Sequence, residues 1–294
     1  NQDGTGMRPI GHNFRNSYEQ AVSSLGDVFQ NDNDDPQACR TTWLMEYGNL
    51  GFTSLNGLRN WRVDQMPDQT TAVAEWRQED PGVIPAGDVY GGGSPTGIAF
   101  YENGIMEDRF GGYVISCEPA RNVLFGYHPQ AKGAGWALPQ RDTFLTSNPK
   151  KNFAGADFAR GGSNNGLMNL FRPSDVTIGP DGVIYIADWF DARVGGHGTR
   201  DAGQTGAIYR IAPTGATLSI PTLDLSTTKG QIEALKNPSP NVRELGRSLL
   251  VASGEKVIPA IKNLLKDPNR FIRGRAIWVL AKLGPKGLRI VERQ

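Results

Sequence analysis

FRPSDVTIGPDGVIYIADWFDARVGGHGTRDAGQTGAIYRIAP, residues 171–213, is the stretch that decides the fold. VTIG and VIYIAD are β-branched and aromatic runs joined by GlyProAspGly, a hairpin signal, and GAIYRI supplies a third strand. Consecutive strands joined this way read as one blade of a β-propeller. Between the second and third strands lie Asp188, Asp191, Arg193, His197, Arg200 and Asp201, more ionisable chemistry than a connection requires. A propeller gathers such loops on one face around its axis, so this loop is a candidate site.

The same pattern recurs upstream. SYEQAVSSLGDVFQND (residues 17–32) aligns with SDVTIGPDGVIYIAD (174–188), setting Glu19 against Asp175 and Asp32 against Asp188, and a third copy runs over residues 94–127. Residues 1–228 therefore hold about three blades, with residues 54–93 as a long insertion. A propeller closes with at least four blades, and this kind with six. The fold class expected is mainly β, a partial six-bladed propeller with further blades before Asn1, followed by a short α-helical solenoid.

The charge balance separates the two parts. Residues 1–229 hold 18 Lys or Arg against 25 Asp or Glu, and residues 230–294 hold 13 against 5, so a net charge of +1 conceals −7 and +8. An internal offset of 30 organises the basic part, residues 229–294: Asn237-Pro238 matches Asp267-Pro268, Val242-Arg243 matches Ile272-Arg273, Leu250 matches Leu280, and Gly254 matches Gly284. Apolar residues at helical spacing end on Gly as a C-cap, and VIPAIKNLL supplies a second helix between them. The signature resembles HEAT repeats. About three repeats bury a solenoid core, so the array is expected to continue past Gln294. Arg243, Arg247, Arg270, Arg273, Arg275 and Lys282 lack the interleaved aromatics of a nucleic-acid platform. They read as a solvated face, as ties between repeats, or as a docking surface for a protein partner or the acidic propeller.

Composition excludes other classes. No apolar run reaches the ~18 residues a membrane span needs. NQDGTGMRP, residues 1–9, has no signal-peptide character. Cys39 and Cys117 allow at most one bridge, and neither lies in a CxxCH motif, so covalent c-type haem in this chain is excluded. GlyGlyGlySer at residues 91–94 is no phosphate loop, because no Lys follows and a strand comes next.

A family resemblance emerges from longer motifs. His12-Asn13-Phe14-Arg15-Asn16, the acidic run from Asn31 to Asp35 and Tyr47-Gly48-Asn49-Leu50-Gly51 resemble the corresponding series of soluble quinoprotein glucose and sorbosone dehydrogenases. With GDVYGGGSPTGIAFYE (87–102), ADWFDARVGGHG (187–198) and the helical tail, the chain resembles planctomycete-type membrane-bound dehydrogenase-domain proteins, in which a propeller precedes HEAT repeats and a c-type haem module.

What the resemblance implies is carried residue by residue. Arg15 and Asn16 match a pair that contacts pyrroloquinoline quinone, and Arg172 matches the first of two cofactor arginines; Ser174 replaces the second. Glu118, Pro119, Ala120 and Arg121 stand where the enzymes use a lysine, which leaves Arg121 as a further cofactor candidate. Asn31, Asp32, Asp34 and Asp35 match a loop supplying Ca²⁺ ligands, hard oxygen donors of the right kind. Each has a bland alternative: Arg15 ties strands together, and the acidic turn binds no metal. Asp188, Asp191 and His197 form a second candidate metal set, or cap a turn and pack on Trp189. His12 and His197 are the candidate bases, since the enzymes' own histidine base belongs to an earlier blade; His128 reads as a surface residue.

Two functional readings follow. One is an oxidoreductase domain that oxidises a sugar or related alcohol with quinone and Ca²⁺ and passes electrons to a c-type cytochrome or haem module outside this chain. The other is a non-catalytic propeller and solenoid that binds carbohydrate or protein; an exposed indole among Trp43, Trp61, Trp76, Trp136 and Trp189 would stack on a sugar ring. The resemblance places either outside the cytoplasm, periplasmic or secreted to the cell surface.

Overall fold

A computed structural model describes residues 3–34, 37–54, 65–148, 150, 171–189 and 206–294. Asp35, Asp191 and His197 lie outside these residues, as do Trp61, Arg193, Arg200 and Asp201.

Three antiparallel sheets carry the alternating segments. The first blade orders β2 (Ser17–Val22), β3 (Val28–Asp32), β4 (Cys39–Leu44) and β6 (Asp88–Gly91). The second orders β7 (Ile98–Tyr101), β8 (Tyr113–Glu118), β9 (Val123–Tyr127) and β12 (Asp142–Thr146), and the third orders β13 (Pro173–Ile178), β14 (Ile184–Asp188) and β15 (Ala207–Ile211). The strand β6 falls inside the segment expected as an insertion and completes the first blade. The remainder of that segment includes α1 (Thr71–Glu75), started by Thr70, whose side chain accepts from the Val73 amide. A short parallel pair, β1 (Gly11–His12) with β5 (Gly48–Asn49), sits beside the first blade, and β10 (Gln130–Lys132) with β11 (Gly135–Ala137) forms a hairpin before β12.

The blades stack face to face through two apolar seams. Between the first and second blades each strand of the first contributes a side chain, Ala21, Phe29, Cys39 and Tyr90, against Phe100, Val114, Phe125 and Tyr127. Between the second and third, Ile115, Cys117 and Leu124 meet Val176, Ile178, Ile184 and Ile186. Cys39 and Cys117 are buried thiols in different seams, not joined by a disulfide, and burial pushes both well above the usual thiol range.

Five helices follow the third blade: α3 (Thr228–Lys236), α4 (Pro240–Ala252), α5 (Ile258–Leu264), α6 (Arg270–Ala281) and α7 (Gly284–Val291), after the short α2 (Glu107–Phe110) of the second blade. The 30-residue offset is visible in the geometry. Ser239 and Asn269 occupy the N-caps of α4 and α6, and Arg243 and Arg273 each donate to the proline carbonyl five residues back, Pro238 at 3.1 Å and Pro268 at 2.9 Å. Gly254 and Gly284 follow the two helices at φ of 70° and 73°, the left-handed region that a C-capping glycine reaches without strain. Among the described residues no helix is long and apolar enough to cross a membrane.

The helices pack on the hairpin end of the blades. Phe271 of α6 meets Phe100 edge-on at 5.8 Å and completes the first seam. Asn237 Nδ2 donates to the Pro180 carbonyl, Asn103 Nδ2 to the Lys236 carbonyl, and Trp278 Nε1 to the Ser24 carbonyl. At the centre of this junction Arg275 and Arg243 converge on Glu102, at 2.8 and 3.2 Å. Two of the basic residues expected on a docking face thus dock within the chain, onto the stacked sheets. Arg275 also ties helices together, through the Leu235 and Asn237 carbonyls.

Candidate functional site

In each blade the second strand ends on an acid at the edge opposite the helices: Asp32, Glu118 and Asp188. All three are buried, at 0, 0 and 9 % exposure. Each accepts backbone amides from the segment that enters its own blade. Asp32 takes the amides of Asn16 at 2.7 Å and Arg15 at 3.3 Å; Asp188 takes that of Arg172 at 2.8 Å; Glu118 takes that of Ser94 at 2.6 Å. The repeat seen in sequence is therefore a repeated clamp that pins the start of strand one to the end of strand two. A short side chain at a strand terminus suits this because entry amides have no ladder partner there.

Burial sets the electrostatics of the clamps. It pushes Asp32 up to about 6 and Glu118 to about 7, and raises Asp188, each against the lowering effect of the amides they accept. Glu118 additionally accepts from the Tyr90 hydroxyl at 2.8 Å. Arg40, not singled out by the sequence motifs, lies beside Asp32 with its guanidinium 3.6 Å from the Trp76 ring; burial lowers it to about 10. Its only signal is a charge within the strand CRTTWL, whose other side chains are mostly buried.

The structure brings the motif segments together. Tyr47 and Leu50 donate their amides to the Ile10 and His12 carbonyls, and Phe52 donates to that of Asn13, so His12–Asn16 lies along Tyr47–Gly51. His12 itself is exposed on β1, and His128 is exposed with its ring against Tyr113 at 4.6 Å.

The arginines and acids expected to hold a quinone or Ca²⁺ are directed at protein groups. Arg172 is 1 % exposed and its Nη1 donates to the Pro119 carbonyl at 2.7 Å. Arg121 donates from Nε to the Gly92 carbonyl and from Nη2 to that of Tyr90 at 2.9 Å. Arg15 reaches the Asn33 carbonyl at 2.9 Å and Asp34 at 3.0 Å, while Asp34 also accepts from Trp76 Nε1 at 2.7 Å. Asn31 Nδ2 donates to the Thr96 carbonyl at 2.6 Å and to Ser116 Oγ at 3.1 Å, across the seam. Bidentate capture of a quinone carboxylate requires a guanidinium edge facing open space, and Ca²⁺ requires six to eight converging oxygens. Among the described residues no three His, Cys, Asp or Glu side chains converge for a metal. Of the first candidate metal set, Asp35 lies outside the described residues. Of the second metal set only Asp188 is described, and it is a clamp.

Sequence comparison identifies a domain of unknown function, DUF7133, matching residues 2–213. No curated protein matches the chain. Solved structures to which it is similar include an oxidoreductase (glucose dehydrogenase) of Thermus thermophilus, 17 % identical at a TM-score of 0.43, covering 71 % of this chain and 48 % of that one. A second is the PQQ-bound aldose sugar dehydrogenase of Streptomyces coelicolor, 15 % identical at 0.41, covering 70 % and 46 %. A third is the soluble aldose sugar dehydrogenase of Escherichia coli in its apo form, 15 % identical at 0.39, covering 63 % and 45 %. The chain spans about half the length of these structures.

Proposed function

The chain belongs to the DUF7133 family, and from that premise we propose that it is a non-catalytic propeller and helical-repeat unit that binds carbohydrate at its loop-end face. One observation carries the reading: Arg15, Arg121, Arg172, Asp32, Asp34 and Asp188 all hold internal partners. The strand ends and entry segments that they belong to also present the Trp189 indole, 45 % exposed beside Asp188, exposed Asn16 and half-buried Asn33. An indole face and amide groups suit the C–H face and hydroxyls of a sugar ring. The helices pack at the opposite end of the blades.

The division that accompanies this reading is a propeller portion over residues 1–228 of a six-bladed whole and a HEAT-like array over 229–294, in a periplasmic or secreted setting. The basic surface left on the helices serves a protein partner. The quinone-dependent reading, sugar or alcohol oxidation with electron transfer to a haem module, keeps one specific support: the Arg15-Asn16 and Asn31–Asp34 motifs lie together, Asp32 accepting the Arg15 and Asn16 amides. Titration calorimetry with a sugar panel, and with pyrroloquinoline quinone plus Ca²⁺, separates the two. Sugar binding that Trp189→Ala weakens about tenfold, without quinone uptake, is the expected result. Stoichiometric quinone binding with dye reduction on any sugar would overturn it.

A further inference from the structure

At the hairpin end of the blades the second seam opens into a cleft of about 890 Å³, the size of a small-molecule pocket. Phe110 of α2, Tyr113 at the start of β8 and Phe144 of β12 line it from the second blade, and Ile211 at the end of β15 lines it from the third. The three ring centroids lie 5.3 to 5.9 Å from one another, their planes tilted by 46 to 72°, and His128 adds a fourth ring 4.6 Å from Tyr113. The connections from β12 to β13 and from β14 to β15 leave and enter at the other end of the blades, where Thr146, Pro173, Asp188 and Ala207 stand. The cleft is thus separate from the loop-end face.

The charges at the cleft are unequally engaged. Asp142 is occupied on both carboxylate oxygens, by the Tyr113 hydroxyl and by Gln140 Nε2, each at 3.1 Å. Arg109, exposed on α2, lies over the Phe110 ring at 5.0 Å and makes no ion pair among the described residues. Its charge is near enough to the Tyr113 hydroxyl to work against the rise that burial and Asp142 impose there. An aromatic recess with one uncommitted guanidinium suits a flat apolar body that carries an anionic group. We propose that this interblade cleft binds an aromatic carboxylate, with its ring among Phe110, Tyr113 and Phe144, its carboxylate on Arg109 and His128 as a further donor. Tilted walls offer an aromatic guest edge-to-face contacts that an aliphatic ring of equal size does not make. A guanidinium takes a carboxylate through two parallel hydrogen bonds, which fixes the guest's orientation. The opposing charges are Asp108, exposed beside Arg109, and Asp142, whose oxygens already hold donors.

The test titrates benzoate, 2-naphthoate and indole-3-carboxylate into the full chain by calorimetry and proton nuclear magnetic resonance. Saturation at one equivalent is expected, with a dissociation constant below about 1 mM for at least one of the three. Arg109→Gln should weaken that binding about tenfold, and Asp108→Asn should tighten it about twofold. Both residues are exposed, so neither substitution disturbs the seam. Cyclohexanecarboxylate should bind about threefold more weakly than benzoate, and the cation 2-naphthylmethylammonium about tenfold more weakly than 2-naphthoate. The His128 ring-proton resonance should move on binding while that of His12, on β1, stays in place. No saturation by any of the three carboxylates, an affinity unchanged in Arg109→Gln, or a His128 resonance that does not move would overturn the proposal. So would equal or tighter binding of the cation, or of cyclohexanecarboxylate against benzoate.

Discussion

Replacing Glu102 by alanine should detach the helices from the stacked sheets. Glu102 is fully buried, accepts from the amide and hydroxyl of Ser24, and faces Arg275 and Arg243, whose side chains are 5 and 14 % exposed. Burial lowers both guanidiniums, Arg243 to about 10, and Glu102 acts against that shift on each. Removing it leaves two positive charges in a site with few other acids and strands the Ser24 amide. Breaking a buried pair this way costs about 3–5 kcal/mol, against a total stability of about 5–15. The exposed pair Lys286–Glu255, with side chains 66 and 44 % exposed, is the internal control, and Glu255→Ala should cost less than about 0.5 kcal/mol. Urea unfolding followed by far-ultraviolet circular dichroism and by the Trp278 indole N–H resonance in nuclear magnetic resonance reads the effect. The two probes should coincide in the wild type and separate in Glu102→Ala, since Trp278 reports on contact with Ser24. A loss under about 1 kcal/mol with coincident transitions would refute the reasoning, and place the junction's strength in Phe271 instead.

Two further expectations concern the clamps and the motif turn. Glu118 is raised from about 4.5 to about 7, so relative to the unfolded chain its contribution is most favourable below pH 4.5 and is lost as pH rises to 7. Glu118→Gln, which still accepts the Ser94 amide, should remove that dependence, a difference of roughly 3 kcal/mol in slope-integrated stability from denaturant midpoints at pH 4.5 and 8; unchanged pH profiles would contradict the clamp's electrostatics. Gly51 has φ of 84°, and a β-carbon there would run into the Trp76 carbonyl oxygen, so Gly51→Ala should cost on the order of 3 kcal/mol in thermal unfolding. A shift within experimental scatter would mean that the turn can move.

How much was legible follows from which partners are near in sequence. Alternation in VIYIAD and IAFY, and the glycines at offset 30, act locally, so strands and helix ends could be read directly. The fourth strand DVYG could not: four residues between glycine-rich turns carry too little pattern, and only pairing with β4 makes them a strand. Glu102 was equally silent, because the residue that explains it stands 173 positions away. The site was legible in place and illegible in role. An Asp at the end of a strand has the same sequence signature whether it faces a cation or the amides of its own chain. Register decides, and here the register repeats: Asp32, Glu118 and Asp188 each meet an entry segment. A ligand site has no reason to recur in every blade, whereas the mechanical need to fasten an incoming strand does. The recurrence therefore makes each of these acids a fastening of its own blade.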